Sequence, residues 1–278
     1  MTTIETPINI SSQNIYGKCE LKCMYSFKYT NSNCTATNNN TLIILSYDKN
    51  STPPVTYNNN KYEVSQIQIC APSFHLFNGS KTSAEIMISH TPILGGKELI
   101  VCLPIIQNNN ITNASNILSE IVQIISRSAP KNGDSANINL TNYTLQSIIS
   151  NKPFYNYTTN INDYVVFDIE HAIGLSSEIL NILTSIIQPN INVAMGGNLF
   201  YNSLGSNVTN EQDNEIYISC QPTGNSETNI NVTYEKTPIL NDILNNDVFT
   251  FLIICIVLII TLMLLNYLIT YIGSIKYF

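Results

Sequence analysis

The chain has 278 residues, 44% of them apolar and 11% charged, which is enough to bury one sizeable core with a tail to spare. Its net charge of -7 and pI near 4.9 exclude broad electrostatic binding to nucleic acid and disfavour heparin-like sulfated glycans, because both need Lys and Arg to displace counterions. Asn, Thr, Ser, Ile and Tyr are abundant and Trp is absent; we read the Asn excess mainly as the coding bias of an AT-rich genome.

The N-terminal "MTTIETPINISSQNIYGK" has no basic stretch followed by an apolar run, so a cleavable signal peptide is not expected. Cys19, Cys23 and Cys34 follow, too irregular for a zinc finger and without a neighbouring His; a disulfide within this trio fits a domain that reaches an oxidising space. "TLIILSY", "YEVSQIQIC", "AEIMISH", "ELIVCLPI" and, later, "DYVVFDI" read as short Ile- and Val-rich strands. Turn-like stretches such as "DKNSTPP" and "FNGSKTS" separate them. "ASNILSEIVQIISRS" places Ile117, Ile121, Ile124 and Ile125 on one face of a helix, and "SSEILNILTSII" reads as a second helix behind a capping Ser. Both are expected to cover a sheet. Sequons at Asn33, Asn50, Asn78, Asn110, Asn142, Asn207 and Asn231 permit glycosylation, although a chain this rich in Asn, Ser and Thr produces many by chance.

From Asn225 to Asn246 the periodicity weakens, and then "VFTFLIICIVLIITLMLLNYLITYI", Val248 to Ile272, runs 25 residues without a charge. At 1.5 Å per residue that is roughly 37 Å of helix, enough to cross a hydrocarbon core of about 30 Å. Asn266 is its only strongly polar side chain, and Tyr267, Tyr271 and Lys276 suit an interface. The expected organisation is an ectodomain over 1–230, a connector over 231–247, a transmembrane helix over 248–272 and a tail over 273–278. Asp242 and Asp247 before the span and Lys276 after it favour a cytosolic tail.

One window raises a chemical question. Gln68 and Cys70 in "QIQIC" stand two apart on a strand and so share a face, as a pair of metal ligands would, but they form an ill-matched pair. From Tyr62 to His90 the chain continues with Ser73-Phe74-His75, Asn78-Gly79 and Glu85-Ile-Met87-Ile-Ser-His90. This frame resembles the metal-site signature of the α-class carbonic anhydrases, in which Gln68, Cys70 and Met87 stand at the three zinc-ligand positions. "TPINI" (6–10), "YVVFDIEHAIGLSSEIL" (164–180) and "CQPTG" (220–224) are similar to further segments of that family, in the same order. The resemblance implies a mainly β, α+β fold: a central, mostly antiparallel sheet with a few covering helices.

The resemblance also implies what is lost. Zinc lowers the pKa of its bound water from 15.7 to about 7, and neutral imidazoles hold it with one position open. None of the three positions here is His. The family's hydroxyl-bearing Thr-Thr-Pro-Pro-Cys loop should follow "FYNY", but the chain reads "TTNINDY"; the usual proton-shuttle His would fall near Thr41. No catalytic residue, metal or cofactor is therefore expected, and a new site built from His75, His90 and His171 is not expected either. His75, Glu85 and Tyr157 match a buried hydrogen-bonded cluster of the family and are expected to meet.

A carbonic anhydrase-like domain without zinc ligands on a C-terminal anchor is similar in arrangement to the cell-surface-binding proteins of poxvirus virions. It implies a virion-membrane protein, able to form homo-oligomers, whose partner is a glycan or protein of the host-cell surface, with no nucleic-acid partner. The acidic balance departs from the basic groove associated with sulfated glycans. An enzyme with an unusual metal and a structural virion protein without a ligand are the alternatives.

Overall fold

The computed structural model describes residues 6–140, 143–207, 254 and 257–267. The chain divides into two units, Met1–Glu227 and Thr228–Phe278. In the first, short strands come early: β1 (Thr6–Pro7), β2 (Asn9–Ile10), β3 (Ile15–Lys18), β4 (Tyr25–Phe27), β5 (Cys34–Asn39), β6 (Leu42–Leu45) and β7 (Val55–Tyr57). The long strands follow, β8 (Asn60–Cys70), β11 (Ala84–Pro92) and β12 (Glu98–Gln107), with the small hairpin β9 (Leu76–Phe77) and β10 (Ser80–Lys81) between the first two. Helix α1 (Asn113–Ser128) precedes β13 (Ser135–Ile138), β14 (Phe154–Thr158), β15 (Asn162–Phe167) and β16 (Ile173–Leu175); α2 (Ser177–Ile186), β17 (Met195–Gly196) and β18 (Leu199–Asn202) complete the unit.

Thirteen of these strands form one sheet, whose main path runs β13-β5-β6-β8-β11-β12-β15-β14-β18-β3. Most neighbours are antiparallel, but β12 pairs in parallel with both β15 and β16, and β18 with β3. The central strand β12 is buried almost continuously, as its unbroken "LIVCLPI" dictates for a strand covered on both faces. The Asn78-Gly79 pair closes the β9–β10 hairpin with φ of 49° and 84°, the left-handed geometry that a two-residue turn demands and that Asn and Gly tolerate.

Helix α2 caps as its sequence suggests, and α1 is capped by Thr112. Thr112 Oγ1 accepts from Ser115 N at 3.1 Å while Ser115 Oγ accepts from Thr112 N, and Ser176 Oγ accepts from Ile179 N at 3.3 Å. The buried stripe of α1 is Leu118, Ile121, Val122 and Ile125; Ile117 and Ile124, expected on the same face, are only half-buried on its flank. Asn38, fully buried on β5, ties both helix ends to the sheet. Its Nδ2 donates to the carbonyls of Ala129, Pro130 and Ile186, and its Oδ1 accepts from Asn40 N.

The sequence suggests a single core, but the unit has two. The larger packs α1 and α2 against Ile43, Ile67, Ile86, Val101 and their neighbours. The smaller lies against the other face and joins Cys102, Tyr155, Tyr157, Tyr164 and Val166 to Ile8, Ile10, Phe77 and Ala194. The N-terminal strands cover this second face: β2 pairs with β9, and β1 with β17. Cys19 and Cys23 form a disulfide; Cys34 stays a buried thiol, as do Cys70 and Cys102.

In the second unit, residues 257–267 are helical and their side chains are exposed, Leu262 at 68% and Met263 at 70%. This run lies inside the expected span 248–272, whose remainder falls outside the described residues except Ile254. Among the described residues no helix is long and apolar enough to cross a membrane. "CQPTG", Asn142 and Asn231 also lie outside the described residues.

His90 is fully buried in the larger core. Its Nδ1–H donates to Leu99 O at 3.1 Å, so its Nε2 accepts from the Tyr29 hydroxyl at 2.8 Å. Burial lowers its pKa to about 4. Between pH 6.5 and 4 the unfolded chain therefore binds the extra proton, and stability must fall as pH drops through that window, by on the order of 3 kcal/mol at its lower end. Urea unfolding from pH 7.5 to 4.5 should show this slope in the parent protein and a flatter one in His90→Gln.

Candidate functional site

Strands β8 and β11 pair with Gln68 opposite Met87 and Cys70 opposite Glu85. Directly opposed residues share a face, and so do residues two apart. The register therefore gathers all three ligand-like positions, Gln68, Cys70 and Met87, with Glu85 on one side of the sheet. Met87 in turn stands opposite Cys102 on β12, which adds a second thiol that the motif alone did not reveal.

At the buried end of this face lies a closed polar cluster. Glu85, with no exposed surface, receives the backbone N–H groups of Phe74 and His75 on Oε2 at 2.7 and 3.0 Å, and His75 Nδ1–H on Oε1 at 2.6 Å. His75 Nε2 then accepts from the Tyr157 hydroxyl at 2.7 Å. Burial holds the Tyr157 hydroxyl well above its ordinary pKa, so it keeps the proton it donates. A carboxylate taken out of water costs several kcal/mol unless paired, and three donors meet that cost here. Tyr157 stacks on Tyr164, ring centroids 4.4 Å apart, and Gly196 lies so close that a Cβ would come within 2.6 Å of the Tyr157 ring. Sequence reading finds His75, Glu85 and Tyr157 through the motif; it has no signal for Gly196, which reaches the ring from 39 positions away on β17.

The remaining donors differ in kind. Gln68 Nε2 donates to Gln66 Oε1 at 2.8 Å, which locks the two amides together. Burial, reinforced by the Glu85 charge, raises the Cys70 thiol to about 12, and its sulfur accepts a weak bond from Asn190 Nδ2 at 3.8 Å. Burial also raises the Cys102 thiol well above its usual range. An amide, a protonated thiol and a thioether are a poor set for zinc, which favours imidazole and thiolate. These residues do not fit the ion that the fold implies. His75, Glu85 and Cys102 bring a nitrogen, a carboxylate oxygen and a sulfur within 4.8 Å of one another, but both ring nitrogens of His75 are already engaged. An ion there would first have to break the cluster.

The other His residues stand apart from this one. His90 is held by Tyr29 and Leu99, and His171 is half-buried in the short helical turn Ile169–His171. In place of a long loop after "FYNY", β14 turns directly into β15. Thr158 pairs with Asp163, and Thr159 N donates to Asn162 O at 2.8 Å, leaving two residues, Asn160 and Ile161, at the tip. Thr41 sits exposed in the turn between β5 and β6.

No family model and no curated protein sequence matches the chain. Solved structures do. Dioscorin in complex with ascorbate aligns with a TM-score of 0.56 over 71% of this chain and 85% of its own, at 16% identity. Carbonic anhydrase Cah3 from Chlamydomonas reinhardtii, in complex with acetazolamide, gives 0.55 over 72% and 91%, also at 16%. The α-carbonic anhydrase of Thermovibrio ammonificans, in complex with sulfanilamide, gives 0.54 over 74% and 84% at 16%. The fold is α-carbonic anhydrase-like. Within this fold, the β8–β11 register accounts for a motif that looks like a metal site yet carries other donors.

If the cluster holds the β8–β9 turn to the sheet, Tyr157→Phe strands a buried His75 nitrogen. It should destabilise the protein by about 2 kcal/mol in urea unfolding, with the native near-UV spectrum retained.

Proposed function

We propose that this chain is a catalytically inactive, carbonic anhydrase-like membrane protein of a virion, which attaches the particle to the host-cell surface. The observation that carries the proposal is the donor set of Gln68, Cys70 and Met87. The β8–β11 pairing brings together the three positions that resemble zinc ligands, and it finds there an amide, a thiol raised to about 12 and a thioether. The tight β14–β15 turn supports the same reading, because its two hydroxyls are bonded within the hairpin, Thr158 Oγ1 to Asp163 Oδ1 and Thr159 Oγ1 to Asn162 O.

Membrane anchorage rests on the uncharged span 248–272. The helical run 257–267, with its apolar side chains exposed, is consistent with a non-aqueous neighbour. The Cys19–Cys23 disulfide is consistent with a first unit outside the reducing cytosol. With a net charge of -7, the ligand is a neutral glycan or a protein rather than a sulfated polymer.

Two experiments test this. Elemental analysis of the purified full chain should find no tightly held zinc, and a CO₂ hydration assay no activity. The triple variant Gln68→His, Cys70→His, Met87→His should acquire zinc, which would locate the loss at these side chains; stoichiometric zinc and bicarbonate turnover in the parent would overturn the reading. Fluorescent full-length protein in nanodiscs should bind host cells by flow cytometry. Its failure to bind any cell type that the virus infects would leave a structural role instead.

A further inference from the structure

Beyond the buried cluster, the face that carries Gln68 and Met87 remains partly open. Thr37, Ile44, Gln66, Gln68, Met87 and Ser89 are each half-buried, whereas the alternate positions of the same strands point into the larger core. The register arranges them as a strip across four adjacent strands. Thr37 on β5 stands opposite Ile44 on β6, Ile44 opposite Gln68 on β8, and Gln68 opposite Met87 on β11; Gln66 stands opposite Ser89 in the next row. Three strand-to-strand steps make the strip about 14 Å long.

Its chemistry is specific. In a chain with 19 acidic and 12 basic residues, none of these six positions carries a charge. Glu85 on the same face is buried and holds three donors. Besides the Gln66–Gln68 bond, Gln66 Nε2 and the second N–H of Gln68 Nε2 remain as amide donors and Gln68 Oε1 as an amide acceptor. Thr37 Oγ1, shared with Ser135 Oγ at 2.8 Å, and Ser89 add hydroxyls, and Ile44 and Met87 place apolar surface between them.

We infer that this strip, Thr37–Ile44–Gln68–Met87 with Gln66 and Ser89, binds an uncharged oligosaccharide of two or three hexose units. Fixed amides and hydroxyls alternating with aliphatic side chains match a ring that presents hydroxyls at its rim and C–H groups on its face. An anionic sugar finds no cation on the strip and meets a protein of like charge. The inference rests on the attachment reading and names the ligand class and the surface that serve it.

The test is full-length protein in nanodiscs on an array of unsulfated, unsialylated hexose oligosaccharides. The parent should bind, Gln66→Ala/Gln68→Ala should bind about tenfold more weakly, as expected for a lost pair of hydrogen bonds, and Gln123→Ala on α1 should bind as the parent does. Unchanged melting temperatures identify the loss as local. Absence of binding to any neutral glycan, binding only to sulfated or sialylated ones, or undiminished binding by the double variant overturns the inference. Host cells stripped enzymatically of glycans separate it from the attachment reading. Equal binding to stripped and intact cells overturns the glycan strip and leaves attachment standing, whereas strip-dependent array binding without cell binding does the reverse.

Discussion

The carboxylate of Glu85 is the constraint around which this domain is built. It sits on a central strand with no access to water, so it is compatible with the fold only while Phe74 N, His75 N and His75 Nδ1 all donate to it. That requirement bends the segment after β8 back over the sheet and orients the His75 ring. The ring then needs a donor for its other nitrogen, which Tyr157 supplies from β14, three strands away in the sheet order. Tyr157 in turn needs the gap at Gly196. One buried charge thus links four separate stretches of chain.

The strand pairing does not depend on the positions that resemble zinc ligands. The pairing of β8 with β11 is set by the alternation of Ile67, Ile69, Ile86 and Ile88 toward the helices and by the cluster at its end, neither of which contains a zinc-ligand position. Side chains on the opposite face are then free to change, provided that any buried polar atom finds a partner. Gln68 finds Gln66, Cys70 finds Asn190, and Met87 needs none.

The same separation divides the protein's charge economy. Few residues are charged, and among the described residues the ion pairs outside the cluster, Lys18 with Glu20 and Lys49 with Glu63, are long and peripheral. Buried side-chain amides and tyrosines perform the cross-linking instead: Asn38 at the helix ends, Asn156 between Tyr57 and the Tyr164 carbonyl, and Tyr29 on His90. Neutral hydrogen bonds of this kind hold the interior whatever the salt concentration outside.

Much of this was legible from the residues alone. Ile- and Val-rich runs mark β6, β8, β11, β12 and β15, a Ser marks the start of α2, and the spacing of Gln68, Cys70, His75, Glu85 and Met87 picks out the face shared by Gln68, Cys70 and Met87 and two members of the cluster, because strand geometry fixes which neighbours share a face. Strands of two to four residues such as β1, β2, β13 and β17 carry no periodic signal, since so short a run gains its stability from a partner elsewhere in the chain. The parallel placement of β15 beside β12, the second core under the N-terminal strands, Cys102 beside Met87 and Gly196 beneath Tyr157 were decided by tertiary structure. Sequence fixes what each strand can present, but which strands become neighbours is settled only when distant segments compete for the same buried surface.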